Sequence, residues 1–182
     1  MPGGSDTALI VCPGPSLAWW SLIDADLCIA VNRAARACEA DWWVFADWQT
    51  YVDNHHYAAA KRARIFTSRS SRESLTRRGY LGGACVMTYE EVPQPHYSDP
   101  ANGGWAAFSM VAAVVLAYHL GAVSIQIVGA DMRGQADWDG YTHERFDRSQ
   151  DAFDRTLELY NGLCGWLSER GVMVQRVTRQ AI

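Results

Sequence analysis

At 182 residues and 20.2 kDa, with 49% of the residues apolar, the chain holds one domain's worth of sequence and enough apolar side chains for a single core. A charged fraction of 20% excludes a solvating, disordered tail. A net charge of −4 and a pI of about 5.7 give no electrostatic footprint for duplex nucleic acid or an anionic membrane.

The start, Met1 to Asp6, lacks a basic cluster, and the apolar run Ala8–Cys12 is too short for a signal peptide, so a cytoplasmic location is expected. Thr7–Cys12 reads as the first strand. Directly after it, Pro13-Gly14-Pro15-Ser16-Leu17 forms a turn into a helix. A glycine there admits close backbone approach to a ligand, and Ser16 can either cap the helix or bind a phosphate at its start. Asp26–Val31 is the second strand. Asn32 follows it, with donors and an acceptor suited to a base or ribose edge, or simply as a strand-ending turn residue. A short helix is expected over Ala34–Ala40 and a third strand over Trp42–Ala46. Asp47 then either caps the helix Asp47–Arg62 or meets a ribose hydroxyl or a metal-bound phosphate. His55 and His56 lie on that helix and read as structural.

Ala63–Thr67 and Ala84–Thr88 are weaker strands flanking a helix over Ser70–Arg78. Glu90–Asn102 carries three prolines and reads as irregular. Asn102-Gly103-Gly104 stands at the mouth of an apolar helix, Trp105–Leu120, where exposed amides suit an anion or where the loop serves as a plain N-cap. That helix is only about four turns long and contains Ser109 and His119, so it reads as buried and not as a membrane span. Gly121 sits at its C-terminal cap. Ser124–Val128 is the strongest strand, and Gly129-Ala130-Asp131-Met132-Arg133-Gly134 follows it. Asp131 at such a strand end is well positioned for chemistry, the alternative being a carboxylate satisfying local amides. Trp138-Asp139-Gly140-Tyr141-Thr142-His143-Glu144-Arg145 is aromatic and polar, and His143 is the best general acid or base by its near-neutral titration. A long amphipathic helix over Gln150–Arg170, capped by Gly171, leads into a last strand, Val172–Val177.

Strands alternating with helices predict an α/β fold, a three-layer Rossmann-like sandwich with a mostly parallel sheet. Near-continuous apolar strands predict a sheet covered on both faces. The five cysteines show no CxxC pair and read as reduced core thiols, without zinc or a disulfide frame. Of the 16 basic residues Lys61 is the single lysine, so basic phosphate contacts are expected from arginine.

Val-Cys-Pro-Gly-Pro-Ser-Leu at 11–17, Trp43–Asp47 and Leu120–Met132 together resemble, in the same order, bacterial sialyltransferases of glycosyltransferase family 42. They resemble equally the related archaeal 6-hydroxymethyl-dihydropterin pyrophosphokinase-like proteins, and small phage proteins of the same pattern. The resemblance spans residue 8 to about 177 and implies a single nucleotide-binding domain over 1–182. It implies a nucleotide held by Gly14, Pro15, Ser16, Asn32, Asp47 and Gly129. Either Asn102, Gly103 and Gly104, or Ser109, takes the segment before the long helix. His143 and Asp131 are the implied catalytic residues, with Tyr141 and Arg133 meeting phosphate or acceptor. Pro13 and Asp47 depart from the asparagines of the sialyltransferases, and the chain lacks room for their large lid. A CMP-sugar-like donor is therefore one expectation. An ATP-dependent pyrophosphokinase, with Mg²⁺ held by Asp47 and Asp131, is the second, and a non-catalytic nucleotide-binding or structural module the third. No permanently bound cofactor and no membrane partner are expected; exposed tryptophans among Trp19, Trp20 and Trp48 would point to a homo-oligomer.

Overall fold

The computed structural model describes residues 6–60, 63–82, 85–92, 108–131, 137–142 and 150–177. Seven strands form one all-parallel sheet: β1 (Thr7–Val11), β2 (Leu27–Val31), β3 (Trp42–Phe45), β4 (Arg64–Thr67), β5 (Val86–Thr88), β6 (Ser124–Val128) and β7 (Met173–Arg176). Their spatial order is β5-β4-β3-β2-β1-β6-β7. The α/β Rossmann-like sandwich expected from the sequence is present.

The apolar runs explain the layering. In β1, Ala8, Ile10 and Cys12 beyond its end face one core, while Leu9 and Val11 face the other. The first core is covered by α3 (Ser109–His119) and α4 (Gln150–Ser168). The second is covered by two short 3-10 helices, Pro15–Leu22 and Asn32–Arg36, and by α1 (Trp48–Ala60) and α2 (Arg69–Arg77). α3 is buried without a break from Met110 to Ala117, which is why its sequence shows no polar face. It begins at Ser109; residues 101–107 lie outside the described ones.

Gly121 and Gly171 occupy the left-handed region at φ 98° and 76° and close α3 and α4 as expected. The backbone N–H of Ala122 donates to Ala117 O and that of Val172 to Leu167 O. The predicted helix over 34–40 is a 3-10 turn starting at Asn32. Cys85 differs from the expectation of a core thiol: it precedes β5 and is exposed, while Cys12 and Cys38 are buried.

α4 has 19 residues, a length of roughly 28 Å, and returns through Gly171 directly into the start of β7. β7 has four residues and spans only roughly 13 Å. The N-terminal half of α4 therefore overhangs the carboxyl edge of the sheet.

Candidate functional site

Beyond β1 the chain proceeds to β2 on one side, and beyond β6 it proceeds to β7 on the other. The direction of growth of the sheet reverses between these two neighbours, the position at which open α/β sheets leave a crevice above their carboxyl ends. The turns after both strands meet there and are zipped together. Cys12 N donates to Val128 O at 2.8 Å and Gly14 N to Gly129 O at 2.7 Å.

Both glycines are required by this approach. Gly129 has φ 75°, and a Cβ on it would run into the Cys12 carbonyl. Gly14 has an ordinary φ of −70°, but its Cβ would collide with the Gly129 carbonyl and lie 2.5 Å from Asp131 Oδ2. Pro15 fits the first helical position, where no amide is needed.

Ser16 is not the helix cap. Gly14 holds that position with no side-chain bond, and the open amide is met from across the sheet. Asp131 Oδ2 accepts from Ser16 N at 2.9 Å and from Ser16 Oγ at 3.0 Å. Ser16 Oγ in turn accepts from Gly129 N at 3.0 Å. Asp131 thus fills with its own charge the amide at the start of this 3-10 helix, leaving Oδ1 without a partner among the described residues. Cys12 lies beneath. Burial first, and the Asp131 charge second, push its thiol well above the ordinary range, so it stays protonated.

Asn32 is the one described non-glycine residue with positive φ, 50°. Its carbonyl is held by Trp43 Nε1 at 2.8 Å. Its side-chain amide has no hydrogen-bond partner among the described residues. Asn tolerates the left-handed region better than other residues with a Cβ, and such outliers cluster at functional sites.

Asp47 caps α1: its Oδ1 accepts from Gln49 N at 3.0 Å. The preceding Ala46 is bound on both sides. Its N–H donates to Ser109 Oγ at 3.1 Å, and its carbonyl accepts from Ser68 Oγ at 2.9 Å and Ser71 Oγ at 2.6 Å. Ser109 therefore anchors the start of α3 to the end of β3. Asp47 and Asp131 follow strands three positions apart in the sheet, about 14 Å at ordinary strand spacing, so one Mg²⁺ cannot be ligated directly by both. Among the described residues no group of three or more His, Cys, Asp or Glu side chains could hold a metal ion.

Over this edge lies the turn 137–142. Trp138 N donates to the Pro13 carbonyl at 2.9 Å, and Asp137 N to the Tyr141 carbonyl at 2.8 Å. Arg33 staples it from below. Its guanidinium donates to Asp137 at 2.8 Å and to Asp139 at 2.7 Å, and lies 3.7 Å from the centre of the Tyr141 ring. Arg33 is 4% exposed, so the pair with Asp137 is out of water, while Asp139 is 36% exposed. The sequence singled out Asn32 and passed over its neighbour. Two aspartates within an aromatic loop were the signal that a buried cation must face them.

Comparison with protein-family models, curated proteins and solved structures finds no match to this chain.

The structure thus brings Gly14, Pro15, Ser16, Gly129 and Asp131 together, and Tyr141 into the turn pinned to Pro13. Asn32 ends β2, the next strand over, and Asp47 stands one strand further away. His143, Arg133, Asn102, Gly103 and Gly104 lie outside the described residues.

Proposed function

We propose that the chain is a nucleotide-dependent transferase, a glycosyltransferase taking a CMP-sugar-like donor at the β1–β6 boundary. The observation that carries the reading is the convergence of the Gly14–Ser16 turn, the Gly129–Asp131 turn and the 137–142 turn at the position where the sheet reverses. Among the described residues the Asn32 side-chain amide and Asp131 Oδ1 are unengaged, the first for a base or ribose edge and the second for an acceptor hydroxyl. In this reading the acceptor oxygen attacks the donor carbon and its proton passes to His143. The bond from that carbon to the phosphate oxygen breaks, and the nucleotide leaves with the electron pair. Tyr141 and Arg133 meet the charge that develops on the phosphate.

One observation favours a second reading, a nucleotide-binding or structural module without catalysis. The Ser16 amide, the natural phosphate donor of the first turn, is taken by Asp131. The magnesium-dependent pyrophosphokinase reading draws less support, since Asp47 caps a helix and stands apart from Asp131.

A thermal-shift panel of CMP, CTP and ATP, with and without Mg²⁺, separates these. The transferase reading predicts stabilisation by cytidine nucleotides without metal, growing with occupancy, and turnover of a CMP-sugar donor. Replacing His143 by alanine should then lower that turnover roughly 10²- to 10⁴-fold. Binding without turnover selects the second reading, and no shift with any nucleotide refutes both nucleotide readings.

A further inference from the structure

Arg176 ends β7, in register with Ile127 of β6. By strand alternation it shares the face of Val174, which packs on the core beneath α4. Its guanidinium therefore lies between the sheet and α4, under the overhang described above. Tyr160 and Cys164, one turn apart on α4, interact with each other and lie within reach of its charge, with Cys12 of the first turn adjacent to Tyr160.

Among the described residues, the buried Arg176 Nη1 has no hydrogen-bond partner and no carboxylate pairs with Arg176. This is unfavourable, because a buried donor on a cation forfeits its water without replacement. Arg33, the other arginine with a buried unpaired nitrogen, is charge-paired twice. The neighbouring weak acids are protonated at neutral pH: desolvation pushes the Tyr160 phenol and the Cys164 thiol upward. The surroundings thus offer a cation and, beside it, a Tyr160 hydroxyl that bonds to the Cys164 thiol and can turn its O–H to an entering anion. The Asp131 carboxylate is drawn to Ser16.

We propose that Arg176, with the Tyr160 hydroxyl, binds a phosphate group between α4 and the carboxyl ends of β1, β6 and β7. The phosphate of the ligand then sits on the α4 side of the sheet reversal, opposite the Ser16 amide that Asp131 closes, where Arg176 takes the part given above to Tyr141. The anion site stands on its own observations, and rests on the nucleotide reading only for what the phosphate carries.

The test is thermal unfolding of the full chain with inorganic phosphate, pyrophosphate and CMP, each against chloride at equal ionic strength. The variants are Arg176→Met, Arg176→Lys and Tyr160→Phe, with Arg170→Gln as an exposed control. Wild type should gain roughly 5–10 °C at a hundredfold excess over Kd. Arg176→Met should lose that gain and, without ligand, melt at or above wild type, whereas removing a purely structural arginine lowers the melting temperature. Arg176→Lys should keep part of the gain, Tyr160→Phe should weaken it, and Arg170→Gln should keep all of it. No shift of the wild type by phosphate or pyrophosphate, or an equal shift in Arg176→Met, overturns the proposal. A shift by CMP that ignores Arg176 overturns it while leaving the nucleotide reading intact. An Arg176-dependent shift by phosphate and pyrophosphate, with none by CMP, upholds the anion site and removes the cytidine nucleotide.

Discussion

One substitution, glycine to alanine, should have opposite signs at two positions of this fold. At Gly14 the added Cβ collides with the Gly129 carbonyl and lies 2.5 Å from Asp131 Oδ2. The obstacle on one side is backbone, which cannot rotate away. Relief requires separating the two turns, which lengthens the Gly14 N to Gly129 O bond and disturbs the Ser16–Asp131 pair. Overpacking strain of about 1–3 kcal/mol and roughly 1–3 kcal/mol for disturbed buried hydrogen bonds together give about 2–6 kcal/mol of lost stability. For a domain of this size that lowers the melting temperature by roughly 4–24 °C. Gly165 lies inside α4, exposed, with nothing within 4 Å of an added Cβ. There alanine gains about 0.8–1 kcal/mol of helix propensity, raising the melting temperature by roughly 2–4 °C. Calorimetry of both variants in one buffer reads the two signs. A Gly14→Ala protein melting within about 2 °C of wild type would show that the two turns do not approach as described.

Asp137→Ala removes a partner of a buried cation and should lower the urea midpoint by the equivalent of about 3–5 kcal/mol, with an unchanged m value. Asp139→Ala, at the exposed end of the same guanidinium, should have a much smaller effect, and equal losses would contradict the staple. Asp26 accepts from Thr7 N and Thr7 Oγ at 3.1 and 2.8 Å, which holds its carboxyl below the ordinary value. A depressed folded pKa contributes stability above the unfolded pKa near 3.9 and loses it as pH falls through the folded value. Asp26→Asn should therefore flatten the acid limb of the stability curve below about pH 4, and an unaltered limb would count against the contact. Thiol titration of the native protein should modify Cys85 first. Cys12 and Cys38 should react only on unfolding, and fast labelling of Cys12 at pH 8 would deny its burial.

Local rules made much of the fold legible. Gly121 and Gly171 carry their backbone requirement in their identity, and the apolar strands already implied cover on both faces. Asp47 as a cap follows from a carboxylate immediately before a helix. The site is different, because its contacts join distant parts of the chain. Ser16 and Asp131 are 115 residues apart, and Arg33 and Asp137 are 104 apart. They meet only because β1 sits between β2 and β6, a strand order no local pattern encodes. Arg176 was invisible for the same reason: as the end of a short edge strand it is ordinary until α4 covers it. The role of Ser16 is also topological: its amide and hydroxyl are held by Asp131, from the turn after the neighbouring strand.

The central claim is that a phosphorylated ligand binds above the carboxyl edge where β1 meets β6. Amide hydrogen exchange, read by peptide mass with and without saturating CMP or pyrophosphate, tests it most directly. Protection should concentrate in peptides covering 12–16, 129–142 and 173–177, and spare the amino edge around Asp26, Asp41 and Val123. Protection at the amino edge, or none anywhere at saturation, would contradict it.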